Sequence, residues 1–129
     1  MKYYIDKTLE KDFEQVVDQV TQSLKNEGFG VLSEINIHEK LKEKLDVDIP
    51  KYRILGACNP PYAYKALQEE DKIGTMLPCN VIIQEKGEGK VEVAAVDPVV
   101  SMQGIENDKL KGVAEEIRAK LQNAVNHLV

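Results

Sequence analysis

Within residues 52–62 a strand has to stop and a helix has to start, and this fixes much of what the chain can fold into. Tyr52, Ile54 and Gly56 alternate with Arg53, Leu55 and Ala57, which reads as a strand from about Lys51 to Cys58 with two distinct faces. Asn59 then suits a helix N-cap, and Pro60 and Pro61 occupy first-turn positions where a missing N–H costs nothing. A helix is expected from Pro60 to about Asp71, with Ala63, Ala66 and Leu67 facing inward. A partner stretch follows, in which Leu77 to Gln84 is a nearly continuous apolar run of the kind found in central strands covered on both faces. Both cysteines lie in these stretches, each followed by asparagine: Cys58 with Asn59, and Cys79 with Asn80.

The remaining elements follow from periodicity. Tyr3, Tyr4 and Ile5 favour a first strand within Met1 to Thr8. Thr8 or Asp12 can cap a helix from Glu10 to Glu27, where Phe13, Val16, Val17, Val20 and Leu24 share one stripe. Gly28 is placed to close it in the left-handed conformation. Phe29, Val31, Ser33, Ile35 and Ile37 mark the inner face of a second strand, and Leu41 and Leu45 suit a short surface helix over residues 38–46. The polar turn at 84–90 joins two β-like runs as an antiparallel hairpin, with Val91, Val93 and Ala95 facing inward. Asp97 and Pro98 break that strand. Asn107 or Asp108 can cap a final helix whose stripe runs from Leu110 through Val113, Ala114, Ile117, Leu121 and Val125 to Leu128.

At 129 residues the chain fits a single domain that buries roughly two thirds of its unfolded surface, so it needs no disulfide or metal for stability. The order of elements is an α+β pattern, a mostly antiparallel sheet with helices packed on one face. The other face is then a natural place for a dimer or a ligand groove. Net charge is −5 with lysines mixed among acids, which removes the electrostatic footprint of nucleic-acid binding. The start of the chain lacks the apolar run of a signal peptide, and no window is apolar enough to cross a membrane. Two cysteines twenty residues apart suit a reducing compartment, so a cytoplasmic location is expected.

The runs Phe29 to Ile35, Tyr52 to Pro61, Leu77 to Val81 and Val96 to Pro98, in this order, resemble the domain of unknown function 302 family over nearly the whole chain. This resemblance implies a TATA-binding-protein-like α+β domain of β-α-β-β-α-β-β-α type, with a curved antiparallel sheet, usually found as a homodimer. It carries no established activity, and the fold does not by itself imply DNA binding.

Cys58, Asn59, Cys79 and Asn80 are the candidate ligand-binding residues, joined by Arg53 and Asp97. Cys58 would leave its strand just before a helix N-terminus, where partial positive charge favours a thiolate. The more frequent role of such cysteines is that of small buried side chains. Asn59 and Asn80 have structural uses as a cap and a backbone-satisfying amide. Arg53 on a strand needs a carboxylate, and Asp97 or Glu92 is expected to supply it, unless it anchors a ligand. Met102, Asp97 and His38 are the only candidates to extend a thiol pair into a metal site, and their spacing resembles no zinc motif. His127 and His38 suit capping or surface roles. With no Ser-His-Asp arrangement and no acid pair in evidence, the expectation is a non-catalytic, homodimeric module binding a small ligand or partner. The alternative is thiol redox or soft-metal chemistry at Cys58 and Cys79.

Overall fold

Five runs of alternating side chains form the sheet of the computed structural model, which describes residues 2–129. They are β1 (Tyr4–Leu9), β2 (Gly30–Asn36), β3 (Tyr52–Cys58), β4 (Cys79–Glu85) and β5 (Val91–Val96). The sheet is open and antiparallel throughout, in the order β1-β5-β4-β3-β2. The first residue of the expected opening strand, Met1, lies outside the described residues.

Helices cover one face. In α1 (Phe13–Asn26) the stripe Phe13, Val16, Val17, Val20 and Leu24 is buried, and Asp12 serves as N-cap while its N–H donates to Gln15 Oε1 at 3.3 Å. In α5 (Asp108–Asn126) the buried side is Leu110, Ala114, Ile117, Leu121, Ala124 and Val125, and Asn107 caps it by accepting from the N–H groups of Lys109 and Leu110. These two stripes close over Leu55, Val81, Ile83 and Val93, each at most 1% exposed and each stabilising by roughly 1.5–3 kcal/mol relative to exposure. Lys7 Nζ fastens β1 to the end of α5 by donating to the carbonyls of Leu128 at 2.6 Å and Asn126 at 3.2 Å, where the helix dipole favours a cation.

A second cluster of Ala66, Ile73, Met102, Leu110 and Ala114 joins α3 (Pro60–Glu69), the 3-10 turn Asp71–Met76, α4 (Pro98–Ser101) and the start of α5. By contrast, α2 (Ile37–Leu45) buries no residue. It is held by His38, whose Nδ1 accepts from the Tyr52 N–H at 3.0 Å. His127 Nδ1 lies 2.6 Å from the Asn123 carbonyl at the end of α5, a capping position.

Three sequence expectations are corrected. The run Leu77 to Gln84 is covered on one face only: Cys79, Val81 and Ile83 turn inward, whereas Asn80 is exposed and Ile82 and Gln84 are half-buried, because every helix packs on the same side. A bulge between Val31 and Ser33 reverses the alternation of β2, so Ile35 sits opposite Ile54 on the uncovered face and Ile37 begins α2. Helix α3 ends at Glu69, and only Ala66 of its expected inward set is buried, with Leu67 46% exposed.

Candidate functional site

The six residues singled out in the sequence fall in four separate places. Arg53 faces the helices. Its Nε donates to Asn36 Oδ1 at 2.7 Å, its terminal nitrogens reach Glu14 at 3.2 and 3.4 Å, and its guanidinium lies 5.3 Å from the Phe13 ring centroid. The expected pairing with Asp97 or Glu92 is therefore corrected, since β3 presents Arg53 to α1 while Asp97 follows β5. Asp97, 6% exposed, is fully employed: it accepts from the N–H groups of Val99 at 3.0 Å and Val100 at 3.4 Å, and Arg118 Nε donates to it at 2.8 Å. It anchors α4 to α5.

Asn59 stands at the N-cap position of α3, yet its side chain caps nothing there. Pro61, at the second helical position, has removed one of the two N–H groups that a cap side chain accepts from. The amide instead donates to the Glu27 carbonyl at 3.1 Å, closing the end of α1. Gly28, at φ 89°, takes a conformation that other residues rarely adopt, and a Cβ there would press on Asn59 Nδ2 at 3.1 Å.

Cys58 and Cys79 come close, and the space between them is small. Ala57 pairs with Cys79, so Cys79 shares the inner face, and Cys58 alternates away from Ala57. Both border a void of about 20 Å³ along with Asn59 and Pro78, room for about one water. Burial, and secondarily the neighbouring Cys58, pushes the Cys79 thiol up from 9.0 to about 11, so it stays neutral near pH 7. Among the described residues no group of three or more His, Cys, Asp or Glu side chains could hold a metal ion.

Asn80 belongs to a different place, the uncovered face. Register sets Ile35, Ile54, Ile82, Ala94 and Asp6 side by side across all five strands, with Tyr52, Gln84, Glu92 and Thr8 in the adjacent row. At Gly56, opposite Asn80, a Cβ would collide with Ser33 Oγ and lie 2.8 Å from Pro78 Cγ. Over β4 and β5 this face forms a trough of about 420 Å³ with Ile82, Ala94 and Val96 as floor. Asn80 and the tyrosines Tyr3 and Tyr4 line one end, and Tyr52, Gln84, Lys86 and Glu92 the other. Beside it, the Lys2 ammonium, 2.6 Å from Asp6, holds that carboxyl below its usual value.

Only Asn80 of this lining was singled out from the sequence. Period-two alternation does set Tyr52 apart from Arg53 and Gln84 from Ile83. What alternation alone omits is that β5 inserts between β1 and β4, which brings Tyr4 and Glu92 to the same surface.

With this geometry in view, comparison with known proteins adds fold but no chemistry. A family model described as "Domain of unknown function DUF302" matches residues 5–128. The crystal structure of an uncharacterized conserved DUF302 protein from Bacillus stearothermophilus is similar over 98% of both chains, with a TM-score of 0.90 and 27% identity. No curated protein matches the chain.

Proposed function

The chain belongs to the DUF302 family, and because membership names no activity, we propose from the geometry that it is a non-catalytic module binding a small ligand on the open face of its sheet. The observation that carries this proposal is the trough of about 420 Å³, with an apolar floor and hydrogen-bonding groups at both ends. That volume lies in the range of small-molecule sites, roughly 300–1,000 Å³. The void at the cysteines holds at most about one water, so the ligand belongs at Asn80 and not at Cys58. The lining offers amides, phenols, one carboxylate and one ammonium, groups suited to recognition rather than to nucleophilic attack.

The expected homodimer has a natural place on the same sheet face, where Ile35 and Ile54 carry the apolar row beyond the trough toward the β2 edge. Two free cysteines favour a reducing compartment, consistent with work in the cytoplasm. Among the described residues no helix is long and apolar enough to cross a membrane.

The test is a thermal-shift panel of metabolites on the wild type and on Ile82→Arg, which fills the floor of the trough. A ligand at a hundred times its Kd stabilises by about 2.7 kcal/mol. The expected result is one or more compounds that raise the Tm of the wild type and leave the variant unmoved. Equal stabilisation of both proteins would place binding elsewhere.

A further inference from the structure

The two ends of the trough differ in chemistry. At one end Glu92 pairs in register with Gln84, and Lys86 follows two residues later, just past the end of β4, so a carboxylate and an ammonium flank one carboxamide. Among the described residues neither Lys86 nor Glu92 forms an ion pair, and beside Glu92 stand the Asp6 carboxyl and the Lys2 ammonium that pairs with it. The other end carries the Asn80 amide and the Tyr4 ring, over which the Lys2 ammonium, paired with Asp6, lies at 5.2 Å. Between them lies Ile82. Asn80 and Gln84 are four residue steps apart along an extended strand, about 13 Å between Cα atoms.

We infer that the trough selects a zwitterion of single aromatic amino-acid size: an ammonium–carboxylate head between Glu92 and Lys86, a flat apolar body over Ile82 and Ala94, and an uncharged polar tip toward Asn80. This rests on the trough being the ligand site. Glu92 complements the ligand ammonium and Lys86 its carboxylate, each a charge-assisted contact. A nucleotide would bring several negative charges to a wall with a single lysine, so phosphorylated ligands fit poorly. The Tyr52 ring closes the head end of the floor, where a flat ligand body gains edge or stacking contact.

Dissociation constants from ligand-observed NMR test this with four probes: L-tyrosine, tyramine, 3-(4-hydroxyphenyl)propionate and phenylalanine. Tyrosine should bind most tightly, and loss of the carboxylate in tyramine or of the ammonium in the propionate should weaken binding roughly tenfold each, the scale of one charge-assisted contact. Phenylalanine should lose less, because its missing tip is neutral. In Lys86→Met tyramine should match tyrosine, and in Glu92→Gln the propionate should match it; circular dichroism of both exposed-site variants checks that they are folded. Equal affinities for tyrosine, tyramine and the propionate, all abolished by Ile82→Arg, would overturn the zwitterion and leave the trough standing. Binding of any probe that survives Ile82→Arg would overturn both. Failure of tyrosine to bind overturns the zwitterion, and sedimentation showing a dimer broken by Ile82→Arg would then identify a second copy as the occupant.

Discussion

Asn59 Nδ2 donates to the main-chain carbonyl of Glu27 at 3.1 Å, so the residue that begins α3 fastens the end of α1. Asn59 is 7% exposed, and removing its amide leaves a carbonyl without its partner. Asn59→Ala should cost about 1–3 kcal/mol in denaturant unfolding. Asn59→Asp should cost more, because a carboxylate would face the Glu27 carbonyl. A helix-capping role would reverse that order, since aspartate caps as well as asparagine.

Asp97 joins two helices through one carboxylate, accepting from the backbone of α4 and from Arg118 of α5. Asp97→Ala should destabilise by about 1–3 kcal/mol, because the N–H groups of Val99 and Val100 lose their acceptor while the half-exposed Arg118 is taken up by water. Asp97→Asn retains a cap acceptor and should lose less. Arg118→Met should cost least, because Arg118 is 45% exposed and water replaces part of the contact. A double-mutant cycle between the two positions, read from unfolding free energies, measures the coupling.

The raised Cys79 thiol makes stability depend on alkaline pH. Below 9.0 folded and unfolded chains both keep the proton, and between 9.0 and about 11 the unfolded chain loses it first. Stability should therefore fall as pH rises across that window, by roughly 2–3 kcal/mol at its upper end. Cys79→Val removes this contribution, so the difference between its unfolding free energy and that of the wild type should narrow or change sign between pH 8.5 and 11. A difference independent of pH would contradict the assignment.

Much of the fold was legible because local rules and tertiary packing agree. The stripes Phe13 to Leu24 and Leu110 to Leu128 have helical spacing and one buried side, and the turn before Val91 is a hairpin in both descriptions. The bulge at β2 was not legible, because one extra residue leaves composition untouched while moving Ile35 to the other face. The apolar run of β4 also misled: Ile82 is as hydrophobic as Ile83, and only the helices' placement decides which is covered. For the site, the repeated Cys and Asn pairs drew attention to two places that the fold separates. Asn59 and Cys79 serve the interior, and only Asn80 reaches the trough. Partners for Arg53 and Asp97 could not be matched from sequence, since Glu14 and Arg118 come from helices whose docking fixes them.

The most direct measurement is backbone amide chemical-shift mapping on the ¹⁵N-labelled full chain, titrated with a compound that stabilises the wild type and not Ile82→Arg. The largest changes should fall at Asn80, Ile82, Gln84, Glu92 and Ala94, the lining contributed by β4 and β5. Changes centred instead on Phe29, Asn59 and Ala63, around the void at the cysteines, would contradict the placement of the site on the open sheet face.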